Sequence, residues 1–134
     1  VATVQAEKVL LTVKNSTSFF GYTNRVKLGM ELVSMACDGN QPARVNIYRD
    51  CTLSTSANFI SWSSNISPMV YDTSSTSFSG GRLLFSFFLS KSDAKEFDFV
   101  DHDIYLNNGQ TVSITMASSA NTSGYVAMNM VNIF

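Results

Sequence analysis

The chain has 134 residues, nine Lys+Arg against ten Asp+Glu, a net charge of −1 and only 14% charged residues. That length fits one domain, able to hold a core without metals or disulfides. The charge balance and the lack of a basic patch argue against a nucleic-acid surface, and no apolar run approaches the ~18 residues of a membrane helix. Hydrophobic residues make up 45% of the chain, with ten Phe and five Tyr, which argues against disorder. Polarity comes from 20 Ser and 11 Thr, residues suited to turns and strands. Few charges mean weak repulsion between copies, which suits a protein that lives in contact with others.

The opening VATVQAEKVLL lacks the basic start and long apolar segment of a signal peptide. Val4 to Val13 reads as a first strand, with Val9, Leu11 and Val13 on one parity. The polar segment Asn15 to Asn24 carries Phe19, Phe20 and Tyr22. These aromatics either cap the sandwich or form a partner contact, since aromatics are favoured at interface centres. Arg25 to Ala36 fits either period. Gly29 disfavours a helix by ~1 kcal/mol, so a strand with a bend or bulge at Gly29 is expected. Asp38-Gly39-Asn40 and Pro42 make a turn. Ala43 to Arg49 is a strand with Val45 and Ile47 inward and Arg44, Asn46 and Tyr48 on the other face.

Cys51 to Asn65 reads as loop, interrupted by Phe59-Ile60 and by Trp62, a core plug. Met69 to Asp72 is a short strand, and Thr73 to Gly81 a Ser/Thr/Gly loop whose glycines allow positive φ. Arg82 to Ser90 is the most apolar run and is expected to be a central strand. Lys91 to Lys95 is a charged turn, and Phe97, Phe99 and Ile104 flank an acidic segment. Asn108-Gly109 signals a tight turn, followed by a hairpin of Thr111 to Ala117 with Tyr125 to Phe134. About eight strands with frequent turns predict an all-β, antiparallel two-sheet sandwich, one domain over residues 1–134. Residues 1–8 could serve as an N-terminal arm that adds a strand to a neighbour's sheet edge.

Little in the sequence points to chemistry. His102 is the only histidine, inside Asp101-His102-Asp103. Neighbours in a strand point to opposite faces, so this trio reads as a structural turn rather than an oriented base or half a metal site. No zinc spacing, nucleophile elbow, phosphate loop or dinucleotide fingerprint occurs. No catalytic, cofactor-binding or metal-ligating residue is therefore assigned, no cofactor is expected, and the chain reads as a non-enzyme. Cys37 and Cys51 read as a reduced pair unless their strands are neighbours. Asn15-Ser16-Thr17, Asn65-Ile66-Ser67 and Asn121-Thr122-Ser123 match glycosylation sequons, which matter only in a secreted eukaryotic protein.

Residues 80–134 carry a resemblance. The run GGRLLFSFFLSKSD, an acidic D-x-x-x-x-D segment, IYLNNGQTVSITMASS and a closing VNIF resemble small virion structural proteins of tailed bacteriophages. TNRVKLGMELV followed by DGNQPARVNIY looks similar to their N-terminal half. The chain departs in ending on apolar Phe134 in place of an aromatic-acidic end. The resemblance implies a jelly-roll capsid cement or decoration protein, a dimer or trimer on the outer surface of the virion that bridges major capsid proteins. Its partners would be the major capsid protein and itself, with neither nucleic acid nor membrane. Phe19, Phe20 and Tyr22 are the candidate partner contacts. The alternative is a phage tail or fibre domain, or another receptor- or carbohydrate-binding sandwich, using Tyr22, Trp62 and Tyr71.

Overall fold

A computed structural model describes residues 2–4, 7–19, 22–24, 26–38, 41–53, 59–61, 69–99, 104–118 and 122–133. Among them there is no helix. The strands are β1 (Ala2–Val4), β2 (Lys8–Asn15), β3 (Ser18–Phe19), β4 (Tyr22–Thr23), β5 (Lys27–Asp38), β6 (Ala43–Arg49), β7 (Thr52–Leu53) and β8 (Ile60–Ser61). They continue as β9 (Met69–Asp72), β10 (Phe78–Ser79), β11 (Arg82–Leu89), β12 (Ala94–Asp98), β13 (Tyr105–Leu106), β14 (Thr111–Ser118) and β15 (Thr122–Ile133). Eight of the described strands have four residues or more.

The strands form an antiparallel sandwich. One sheet runs β1-β15-β5-β12, with β13 also on β5, and the other runs β11-β6-β14-β2-β9-β8. Leu28, Met30, Val33, Met35 and Cys37 of β5 meet Val45, Ile47, Val112, Ile114, Met116 and Val13 of the opposite sheet. Alternation explains this core: every second side chain of a strand faces the other sheet. Val45 and Ile47 point inward as their parity predicts, both fully buried. At one end Phe85, Phe87, Phe97 and Phe99 pack with ring centroids 4.6 to 6.2 Å apart.

Several sequence expectations are corrected. The first strand is two strands in different sheets: β1 pairs β15, whereas β2 pairs β14 and β9. Residues 2–4 of the expected arm thus lie at the edge of the chain's own sheet. The irregularity in β5 falls at Glu31, not Gly29. Asn129 opposes Leu32 and Met130 opposes Met30, so Glu31 is the extra residue. Its carbonyl is turned to accept the Phe99 N–H at 2.6 Å. The bulge lets β5 pair with β12 over one stretch and β13 over another.

The Asn108-Gly109 turn forms, with Gly109 at φ +81° and the Gln110 N–H on the Asn107 carbonyl at 3.0 Å. The hairpin expected after it, of β14 with β15, does not form. β14 bonds β2 and β6 in one sheet, and β15 bonds β5 and β1 in the other. The most apolar strand, β11, is an edge strand rather than a central one. Both cysteines are free thiols in separate places. Cys37 is buried in the core and contacts the Ser90 carbonyl, and Cys51 contacts Ser113 Oγ at 3.2 Å.

The outer face of the six-stranded sheet is partly covered. Thr12, Ser113 and Thr115 are buried there although they point away from the core. The segment after β9 folds back over them. The Val9 N–H donates to the Thr76 carbonyl at 2.8 Å, and the Phe78 ring lies 5.2 Å from that of Tyr48. The Asp72 carboxylate starts this return by accepting the Ser74 and Ser75 N–H groups.

Candidate interaction surfaces

The densest polar cluster among the described residues lies on that outer face, around Glu7. Glu7 is in the segment that crosses from β1 to β2. Its Oε2 accepts from Thr115 Oγ1 at 2.5 Å, Asn46 Nδ2 at 3.0 Å and the Tyr48 hydroxyl at 3.2 Å. Arg44 approaches Oε1 at 3.6 Å, and Ser86 Oγ donates to Asn46 Oδ1 at 2.7 Å. Alternation places Asn46 and Tyr48 of β6, Thr115 of β14 and Ser86 of β11 on one face, so neighbouring strands bring them together. Burial pushes the Tyr48 hydroxyl above its ordinary pKa, and the Glu7 carboxylate adds to the shift. The hydroxyls here donate to acceptors that hold them. The cluster latches the N-terminal crossing onto the sheet.

A second buried polar network fixes the aromatic segment. Asn15 is fully buried, and its Nδ2 donates to the carbonyls of Val26 at 2.8 Å and Leu106 at 2.9 Å. Its Oδ1 accepts from Asn24 Nδ2 at 2.6 Å. Asn108 Nδ2 then reaches the carbonyls of Thr17 and Asn24, each at 3.0 Å. The three asparagines tie the ends of the β3–β4 hairpin to the β13–β14 turn. Both amide hydrogens of Asn15 are taken, so a glycan at this sequon would break the network. Sequence reading missed this role. The available signal was a polar Asn at the end of an apolar strand, facing a second Asn nine residues on.

The hairpin presents Tyr22, 78% exposed. Its backbone pairs Phe19 with Tyr22. Phe20 lies outside the described residues, as do Trp62, the Asp101-His102-Asp103 cluster, Phe134, and residues 65 and 121 of the other two sequons. Tyr71 is half-buried in β9 against the core. Among the described residues, no three His, Cys, Asp or Glu are grouped as a metal site would need.

Further large apolar side chains are exposed elsewhere. Phe88 is 68% and Leu83 51% exposed on the outer face of β11, flanking Ser86. Tyr125 is 45% exposed on the outer face of the other sheet. There it walls a shallow hollow of about 310 Å³ floored by Ala36, Ala94, Ala127 and Ser34. No protein-family model, no curated protein and no solved structure matches this chain.

Proposed function

We propose that this protein is a virion structural protein of a tailed bacteriophage, a cement or decoration protein of jelly-roll type. It sits on the outside of the shell and bridges major capsid proteins. The observation that carries the reading is the distribution of uncovered apolar side chains. Tyr22 on a hairpin, Leu83 and Phe88 on an edge strand, and Tyr125 on the opposite sheet are all exposed while the core is filled without them. Apolar contacts on several sides suit a domain lodged among several neighbours. Each contact is small, but many such contacts on a closed lattice add up through effective concentration. The sequence resemblance over residues 80–134 supports the same reading.

The test is co-sedimentation with undecorated phage shells and, separately, with soluble capsid subunits. Binding to shells alone is expected, weakened about tenfold by Tyr22→Ala. Protein that stays in the supernatant with every undecorated shell tried defeats the proposal. The exposure of Tyr22 also favours a second reading, a carbohydrate- or receptor-binding domain of the tail, because a solvent-facing ring can stack on a sugar. A glycan array probed with multivalent protein separates the two. Hits that Tyr22→Ala abolishes, with no shell binding, select the second.

A further inference from the structure

We propose that β11 is a self-pairing edge, through which two copies join their six-stranded sheets across a two-fold axis at Ser86, and that Lys95 guards it. This goes beyond the shell-binding reading and does not depend on it. Among the described residues, no strand pairs with β11 on the side away from β6. The Phe88 carbonyl accepts Lys95 Nζ at 3.0 Å, from the opposite sheet, so it points away from β6. Backbone direction alternates along a strand, so the Ser86 N–H and C=O face the same open side. Ser86 of two antiparallel copies can then exchange both hydrogen bonds across the axis.

The side chains fit that register. β11 carries a bulge at Leu83-Leu84, which together oppose Tyr48. With Ser86 on the axis, Phe85 of one copy opposes Phe87 of the other, facing the cores. On the outer face, Leu83 comes opposite Phe88 of the second copy, while the bulged Leu84 packs against its own core. Leu83 and Phe88, the two exposed apolar residues of this strand, thus cover each other twice. A two-fold contact requires such self-complementarity, because each patch must match itself. Without the bulge, Leu83 and Phe88 would have opposite parity and face different sides.

The contact is one strand wide with two exposed apolar residues from each copy, so it falls below the ~1,200 Å² of stable interfaces. Association is therefore weak, with a Kd on the order of 0.1–1 mM. Lysine beside an open edge is a common guard against pairing. Lys95 occupies one backbone acceptor that a second strand would use, so it holds the dimer weak.

The test is sedimentation equilibrium over about 0.02–1 mM, with near-ultraviolet circular dichroism to confirm the fold. Wild type is expected to pass from monomer to dimer. Phe88→Lys and Leu83→Lys, both at exposed positions, should remain monomeric, and Lys95→Ala should dimerise about fivefold more tightly. Wild type monomeric throughout overturns the proposal, as does either charged variant dimerising like wild type. Lys95→Ala with unchanged or weaker association overturns the guard. A monomeric wild type whose Phe88→Lys variant loses shell binding would assign the edge to the shell and end the self-pairing proposal while leaving the shell reading intact.

Discussion

Replacing Asn15 by Ala is the sharpest test of how the exposed hairpin is held. The side chain is fully buried and makes three hydrogen bonds, to the Val26 and Leu106 carbonyls and from Asn24 Nδ2. Asn24 keeps a second acceptor, the Ser16 carbonyl at 2.7 Å, so its loss is partial. The two carbonyls belong to buried residues and gain little water in exchange. At about 1 kcal/mol per bond, with extra cost where a buried group is left unpaired, the substitution destabilises by ~3 kcal/mol. Unfolding entropy of ~2.1 cal/mol/K per residue gives about 0.28 kcal/mol/K for this chain, so Tm falls by about 11 °C. Thermal and urea unfolding measure it, and the urea m-value should be unchanged. The loosening should also speed hydrogen exchange at the Asn24 N–H, which bonds the Thr17 carbonyl at 3.1 Å. A Tm shift below about 3 °C would refute the idea that this network anchors the hairpin. Asn15→Asp adds a signed check. A carboxylate there would face two carbonyl oxygens, so the fold favours the protonated acid and raises its pKa above the unfolded ~3.9. The folded state then binds more protons, so the defect is smallest below about pH 4 and grows as pH rises toward the folded pKa. Wild-type stability of Asn15→Asp at neutral pH would sink the reasoning.

Gly80→Ala and Gly81→Ala should differ although both glycines have positive φ, +66° and +85°. A Cβ at Gly80 meets nothing within 4 Å, so the loss is the backbone term of ~1 kcal/mol. At Gly81 it would lie 2.7 Å from Cys51 Cβ and 2.8 Å from its Cα, and a further 1–3 kcal/mol is roughly the cost of such overpacking. Equal urea midpoints for the two variants would contradict this. Tyr48 supplies an alkaline prediction. Its pKa is raised in the fold, so the folded state holds the proton longer, and its contribution is present below the unfolded ~10 and lost as pH rises from there toward the folded value. Tyr48→Phe should therefore lose less stability than wild type between about pH 9 and 11 in urea titrations. An equal or steeper loss in the variant counts against the burial and Glu7 argument.

The local grammar of the fold was readable. Alternation placed Val45 and Ile47 inward, the Asn108-Gly109 turn formed, and Gly80 and Gly81 took positive φ. Pairing was not readable, because periodicity reports which face of a strand is buried and not which strand lies beside it. Asn108-Gly109 illustrates the difference. Its turn geometry matched the signal, yet the strands on either side found partners in opposite sheets. Of the candidate site, the sequence offered only aromatics in a polar segment. The exposure of Tyr22 and the role of Asn15 are set by tertiary packing, the latter by carbonyls 11 and 91 residues away.

β11 shows why the misplaced strand is informative. Apolar residues on both parities usually mean a strand covered on both faces, in the middle of a sheet. Here Phe85, Phe87 and Leu89 satisfy one parity against the core, and the bulge puts Leu83 and Phe88 together on the other. That second face is left about half exposed at Leu83 and two-thirds exposed at Phe88. The pattern of a central strand at the edge of a sheet is what a strand needs if its sheet is to be continued by another molecule. Charged residues at positions 83 and 88 would have kept an edge monomeric without Lys95. The chain instead keeps two apolar residues in a self-matching arrangement and leaves the guarding to one lysine from the opposite sheet. This assignment requires the effects of Lys95→Ala and Phe88→Lys on self-association to have opposite signs, an outcome that a merely sticky surface would not produce.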